Sequence, residues 1–424
     1  MQTTLVAGTH SGCGKTTVTL ALLQRLAQRF PALYPFKSGP DFIDPMWHQK
    51  AAGRPCYNLD TQMMSAEQIA QTLSGVPESG IAVIEGVMGL FDGRSGIGGP
   101  GSTLDLAEKL AAPVLLVINA KGLSGSVAPL VAGFQQYANR LGVQIVGVLA
   151  NQVGSAHHVE LLKGHLAAEG LPPILGWLDK RAPSISERHL GLTLPGEQGL
   201  PDFSPHFELD EEGFLEALGQ YTPPQTASKT EPKRLSGKQI AVIQDQASCF
   251  TYPANLDWLR LTGAEVCSFS VLAGEPIPEG CDALWIPGGY PELHGPQLAA
   301  STSWDSIAHF IEQGGYALAE CGGMMMLGES IEGLSGQTYP VAGVLPYRTK
   351  IEDRLAGLGY RESTEGVKGH EFHHSKRSTT EPLEPAFDLT KGDQGVKYKN
   401  LRASYIHWYF ASNPEAVARW FGGE

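Results

Sequence analysis

The sequence predicts an α/β protein of two tandem domains, on three observations. Short apolar runs alternate with segments of helical spacing along the first half. The same alternation restarts after a stretch rich in Pro, Thr, Ser and charge (TPPQTASKTEPKRLSGK). At about 150 residues per domain, a length of 424 residues makes room for two or three domains.

Near-continuous apolar strands alternating with helices mark a parallel sheet covered on both faces. Runs at 3–7, 81–85, 113–118 and 145–150 read as such strands. Segment 16–29 carries Val18, Leu22, Leu23 and Leu26 at helical spacing. The first domain is expected at 1–222, a linker at 223–237 and a second domain at 238–424. Strands of the second domain are expected at 240–243, 265–269, 283–286 and 316–319, and a further break at 195–206 reads as a loop.

With 44 acidic and 31 basic side chains the formal charge is −13, which disfavours general binding to nucleic acid or to an anionic membrane. A hydrophobic share of 42% supplies sizeable cores, and 18% charged residues, below the usual ~25%, argue against disorder. The start MQTTLVAGTHSG has no basic region followed by a long apolar one, so no secretory signal is read. The apolar run at 110–120 is broken by Pro113 and Asn119 and falls short of the ~20 residues of a membrane helix. Six cysteines show no CxxC pair, which suits reduced thiols and a cytoplasmic location.

The first strand runs into Gly8-Thr9-His10-Ser11-Gly12-Cys13-Gly14-Lys15-Thr16-Thr17, then a helix. Glycines turn backbone N–H groups toward phosphate oxygens, the helix start favours negative charge, and Lys15 neutralises the β- and γ-phosphates. The Thr16 hydroxyl suits Mg²⁺. Gly8, Gly12, Gly14, Lys15, Thr16 and Thr17 are therefore the candidate nucleotide residues; a chance glycine-rich turn is the plain alternative. Glu85 ends an apolar strand, where a carboxylate reaches the ligand crevice of a doubly wound sheet. Asp41 and Asp44 are further candidates for metal or positioning, so the metal set is Thr16, Glu85 and Asp41. Lys37 suits a phosphate or a substrate carboxylate, and each of these groups has a reading as an ordinary solvated side chain.

In the second domain, Tyr316-Ala317-Leu318-Ala319-Glu320-Cys321-Gly322-Gly323 reads as strand, tight turn and helix start. Cys321 then sits on an elbow as a nucleophile, and a helix N-terminus there is expected to lower its thiol pKa. Gly288, Gly289 and Tyr290 follow another strand and offer backbone N–H groups to an oxyanion. His407, between aromatics far downstream, is the candidate general base. A small buried cysteine and a satisfied core histidine are the alternatives, and Met324–Met326 reads as core. In Gly369-His370-Glu371-Phe372-His373-His374-Ser375, strand alternation puts His370 and His374 on one face and Glu371 and His373 on the other, which splits any metal set. Arg188 and His189 are candidates for substrate carboxylates.

These motifs carry a resemblance. GTHSGCGKTT, KSGPDFIDP and EGVMGLFDG resemble the dethiobiotin-synthetase-type ATPases and amidoligases, whose loop also has five residues between the outer glycines, as between Gly8 and Gly14 here. PGGYPEL, AECGGMMML and SYIHWYF resemble a class I glutamine amidotransferase domain, a flavodoxin-like α/β fold. Fused in this order, and with SERHLGL and GHEFHHS, they resemble the cobyrinic acid a,c-diamide synthases of corrinoid biosynthesis over nearly the whole chain.

The resemblance implies a P-loop doubly wound sheet followed by the amidotransferase domain, with ATP- and glutamine-dependent amidation of the a and c carboxylates of a corrin ring. It implies Cys321 attacking glutamine, His407 serving the thiol and the leaving ammonia, and an acyl phosphate formed at the first domain. Asn151 resembles the base-recognising Asn of the synthetase family. Implied partners are ATP with Mg²⁺, L-glutamine and a corrin-ring polycarboxylate, with no nucleic acid and no membrane; a homodimer is left open. One departure stands out: most triad amidotransferases carry a Glu two residues after the His, and here that residue is Tyr409. Alternatives are a cobyric acid synthase, a nickel-sirohydrochlorin a,c-diamide synthase and, more distantly, a ParA/MinD-type switch ATPase. The last carries a signature Lys where this chain has His10.

Overall fold

A computed structural model describes residues 1–94, 97–188, 191–224 and 232–423. The chain divides into two compact units, Met1–Ala227 and Ser228–Glu424. Of the linker expected at 223–237, residues 225–231 lie outside the described residues.

The first unit alternates β1 (Gln2–Gly8), α1 (Lys15–Ala27), β2 (Leu33–Ser38), α2 (Ile43–Ala52), β3 (Tyr57–Leu59), α3 (Ala66–Leu73), β4 (Ile81–Gly89), α4 (Thr103–Leu110), β5 (Val114–Asn119), α5 (Val127–Arg140), β6 (Ile145–Val153), α6 (Ala156–Ala168) and β7 (Ile174–Asp179). The parallel strands lie in the order β7-β6-β5-β1-β4-β2-β3, with Phe207–Leu209 added antiparallel beside β7. Strands β4 and β5 flank β1, so the chain reverses its direction of travel through the sheet there and opens a crevice at the strands' carboxyl ends. The predicted helical stripe Val18, Leu22, Leu23 and Leu26 is buried against this sheet. Gly14, at φ 88°, makes the turn into α1; a Cβ there would lie 1.8 Å from Asn151 Nδ2.

In the second unit, Glu265–Phe269, Gln239–Ile243, Ala283–Ile286, Tyr316–Glu320 and Leu401–Ser404 are adjacent and parallel in that order, the 2-1-3-4-5 arrangement of flavodoxin-like sheets. Val396–Tyr398 adds an antiparallel edge. A separate three-stranded antiparallel sheet joins Gly357–Glu362, Lys368–His373 and Ile406–Tyr409. Trp258, Trp285, Trp408, Phe410, Trp420 and Phe421 bury their rings in one core cluster of this unit. Residues 195–206 hold no helix or strand, as their composition predicts. Among the described residues, no helix is long and apolar enough to cross a membrane.

Candidate functional site

Each unit holds a centre of its own. In the first, parallel pairing sets Lys37 on β2 directly beside Glu85 on β4. Lys37 Nζ donates to Asp44 Oδ2 at 2.6 Å and to Glu85 Oε1 at 2.8 Å, and lies 3.9 Å from Asp41. The Thr16 hydroxyl donates to the same Glu85 oxygen at 2.9 Å and stands 3.3 Å from Asp44 Oδ2, while Lys15 Nζ is 3.8 Å from Glu85. Sequence reasoning named all six of these residues, and the fold brings them together.

Charge balance explains their ionisation. Burial pulls against the Lys37 ammonium, but Asp44, Glu85 and Asp41 outweigh it and hold its pKa above the ordinary lysine value. Burial likewise pushes Glu85 up, and Lys37, His48 and Lys15 outweigh that, leaving it well below the usual carboxylate range. Asp41 is pushed up to about 7 by burial and by the neighbouring Asp44, against the pull of Lys37.

Asp41, expected in the metal set, accepts through Oδ1 from the backbone N–H of Ile43 and Asp44 (2.8 and 3.2 Å), fixing the turn into α2, and Asp44 stands beside Thr16. The amide of Asn151, the residue expected at the nucleotide base, donates to the Cys13 carbonyl at 3.0 Å and braces the loop. Gly8 pairs with Gly89 across β1 and β4, Gly12 lies in the loop at φ 82°, and Thr17 is in the first turn of α1. Arg188 belongs to a short hairpin with Gly191–Leu192, and His189 lies outside the described residues.

Oxygens of Glu85 and Asp44 lie 2.9 and 3.3 Å from the Thr16 hydroxyl, a hard donor set suited to Mg²⁺. Among the described residues no cluster of three or more His, Cys, Asp or Glu forms a metal site by itself, so an ion here would complete its shell with phosphate and water.

Sequence reading missed His48. It is fully buried on α2, four residues after Asp44 and so on the same helical face, and its Nε2 meets Glu85 Oε2 at 2.6 Å. Its Nδ1 faces the Cys56 thiol at 3.6 Å. Burial holds that thiol well above its ordinary pKa.

In the second unit Cys321 sits at φ 49°, ψ −114°, between its strand and the short helix Gly322–Met326. This conformation is strained for a residue with a side chain and is typical of a nucleophile held at an elbow. The strain is held by the Cys321 N–H, which donates to the Ser404 carbonyl at 2.7 Å. Gly288 separates thiol and imidazole: a Cβ on it would lie 2.3 Å from His407 Cε1 and 3.1 Å from Cys321 Cβ. The Gly288 carbonyl accepts from Phe250 N–H at 2.9 Å, and the Tyr290 ring packs edge-on against Phe250. Gly289 rests against the Ala247 carbonyl, where a Cβ would come within 2.1 Å of the oxygen.

The lowered thiol expected for Cys321 is overturned. Burial pushes it up to about 12, and the one opposing hydrogen bond, from Gly322 N–H, is too little from a helix of five residues. Burial first, then His370 and His373, push His407 down to about 3. The resting pair is thus a neutral thiol and a neutral imidazole.

His370 is the cross-strand partner of His407, and the expected split of the histidine motif holds. Glu371 and His373 hydrogen-bond on one face at 2.9 Å, with Arg361 on the same carboxylate; on the other, His370 stacks on Phe372, whose ring meets His374 edge-on. Glu320 was read only as part of the elbow. It is buried and pushed up to about 8 by that burial, with Trp285 Nε1 donating to one oxygen at 3.0 Å and the Trp408 N–H to the other at 2.8 Å.

Residues 4–192 match the family model of the CobQ/CobB/MinD/ParA nucleotide binding domain, and residues 239–415 that of the CobB/CobQ-like glutamine amidotransferase domain. The chain is 37% identical to the cobyrinate a,c-diamide synthase of Herminiimonas arsenicoxydans, over 99% of this chain and 96% of that protein. It is 38% identical to the hydrogenobyrinate a,c-diamide synthase of Brucella ovis, over 95% of this chain and 97% of that one. Similarity to the cobyrinate a,c-diamide synthase of Thermoplasma volcanium is also 38%, over 96% and 94% respectively. Relatives this similar along nearly the whole length, with a nucleotide-binding half followed by an amidotransferase half, place the chain in the family of cobyrinate and hydrogenobyrinate a,c-diamide synthases, which are glutamine-dependent amidoligases.

Proposed function

We propose that the chain amidates the a and c side-chain carboxylates of cobyrinic or hydrogenobyrinic acid in cobalamin biosynthesis, using ATP and glutamine. The observation that carries this reading is that each half-reaction has its own centre: Cys321 on a strained elbow beside His407, and Lys15 and Thr16 on a P-loop facing buried carboxylates. The first domain (1–222) is the synthetase and the last (238–424) the amidotransferase. Six free cysteines support a reducing, cytoplasmic setting.

In the amidotransferase, the thiol and imidazole are neutral at rest, so His407 takes the Cys321 proton as sulfur bonds to the glutamine carboxamide carbon. Backbone N–H groups of the 288–290 turn receive the developing oxyanion. His407 returns its proton to the leaving ammonia, a glutamyl thioester remains, and water attacks it with His407 as base, releasing glutamate. Tyr409 supplies no carboxylate, and the neighbouring strand sets His370 opposite His407.

In the synthetase, a carboxylate oxygen of the substrate bonds to the γ-phosphorus as the bond to ADP breaks. Ammonia then attacks the acyl carbon, phosphate leaves, and the amide remains. A carboxylate alone offers no leaving group, so activation must come first. Loop N–H groups from Gly8 to Gly14 cradle phosphates, Lys15 offsets their charge, and Lys37 steadies the acidic cluster or meets a substrate carboxylate. Thr16 and Glu85, with Asp44 and Asp41 at the rim, would hold Mg²⁺, which when bound offsets phosphate charge. Asn151 keeps the loop in shape from beneath.

Mass spectrometry of products from MgATP, glutamine and either cobyrinic or hydrogenobyrinic acid tests the reading. A doubly amidated corrin supports it and shows whether cobalt is required. Intact glutamine hydrolysis with neither corrin amidated sinks it and moves the assignment to cobyric acid or sirohydrochlorin chemistry.

A further inference from the structure

We propose that His48 is a positioning residue for the nucleotide centre: it holds one oxygen of Glu85 in the protein interior so that the other faces the metal and phosphates. This rests on the nucleotide reading of the first unit, and not on the identity of the macrocycle.

The geometry divides the labour between the two carboxylate oxygens. Oε1 meets every group that belongs to the ligand side: Thr16 Oγ1 at 2.9 Å, Lys37 Nζ at 2.8 Å and Lys15 Nζ at 3.8 Å. Oε2 meets His48 at 2.6 Å. Both side chains are fully buried, so no water competes for that oxygen. A carboxylate on a free torsion would exchange its two oxygens; a single buried donor on one of them fixes which oxygen points outward.

His48 is itself fixed. It stands on α2 in the same helix as Asp44, whose Oδ2 completes the cluster at Thr16 and Lys37, and its second nitrogen is engaged by Cys56 at 3.6 Å. Cys56 Sγ on one side and Glu85 Oε2 on the other thus hold both ring nitrogens and fix the plane of the imidazole. One helix thus carries both the carboxylate that shares the cluster and the imidazole that orients its partner.

The test is ATP binding to the full-length chain by isothermal titration calorimetry, with Mg²⁺ and with EDTA. Outer partners of metal-bound groups typically cost 10–100-fold in affinity when removed, so His48→Phe should weaken MgATP by roughly tenfold. Metal-free ATP should stay within about twofold, because loop N–H groups and Lys15 bind it without Glu85. His48→Gln, whose Nε2 reaches where the imidazole Nε2 does, should recover most of the loss, and His48→Asn should not. A merely structural histidine would weaken both forms of ATP alike and distinguish neither amide, and that result overturns the proposal. Should the Phe variant fail to fold, the Gln and Asn pair decides: equal affinity of both for MgATP overturns it. A parent chain that binds ATP equally with and without Mg²⁺ also overturns it, since Glu85 then has no ion to hold. Corrin amidation is not read, so its failure leaves this result standing.

Discussion

Glu320 and Trp408 join the elbow of Cys321 to the strand of His407: Glu320, the residue before Cys321, accepts a 2.8 Å hydrogen bond from the backbone N–H of Trp408, the residue after His407. Cys321 follows a strand of the parallel sheet and His407 lies on a strand of the antiparallel one, so a tie between their neighbours limits how far thiol and imidazole separate.

The burial of Glu320, which the tie only partly offsets, predicts a pH dependence of stability. Burial raises the Glu320 pKa from 4.5 to about 8, so between these values the folded chain holds a proton that the unfolded chain has released. Glu320 therefore favours folding at low pH, loses that contribution as pH rises toward about 8, and is flat above it. Calorimetric unfolding of the parent and of Glu320→Gln across pH 5–9 should show a downward component in the parent that the variant lacks. Parallel curves would remove Glu320 from this role.

Gly288→Ala should abolish glutamine use and spare ammonia-driven synthesis. Its methyl carbon would stand 2.3 Å from His407 Cε1, forcing the ring away from Cys321. Displacing a reacting group by about 1 Å costs on the order of a hundredfold in rate, and glutamate release reads it directly.

Cys321→Ala should likewise remove glutamine-dependent product and leave synthesis from added ammonium; loss of both would refute the division of labour. In the parent without glutamine, the thiol near 12 makes alkylation of Cys321 by iodoacetamide rise about tenfold per pH unit, with no plateau below pH 9. A plateau near neutrality would show a thiolate that the buried elbow does not favour.

Asn151→Ala should raise the KM for ATP several-fold in the ammonia-driven reaction with little change in kcat. The amide that braces the Cys13 carbonyl is lost, and the loop it supports is the proposed phosphate cradle, which acts before any chemistry occurs. An unchanged KM would confine Asn151 to packing.

What the sequence disclosed was local. Val18, Leu22, Leu23 and Leu26 show their face by spacing, and Gly14-Lys15-Thr16 and Glu320-Cys321-Gly322 show their turns by composition, because both are decided within a few residues. Pairings between distant strands were hidden. Lys37 meets Glu85, and His370 meets His407, because of sheet order and register, and no single-chain periodicity reports which strands become neighbours. The thiol of Cys321 was misjudged for a related reason: a helix start is visible in sequence, whereas the burial that outweighs it is a property of the assembled core. His48 offered one faint clue, its four-residue offset from Asp44, and only the approach of β4 gives that offset meaning.

Lys37 has one more consequence. Its ammonium stands among Asp41, Asp44 and Glu85 as an internal counter-ion, a cation that cannot diffuse away. Carboxylates gathered this closely would otherwise repel one another. Here the chain carries its own balancing charge from synthesis onward. The acidic pocket can therefore stay assembled with no ion bound, and chelating agents should not unravel it.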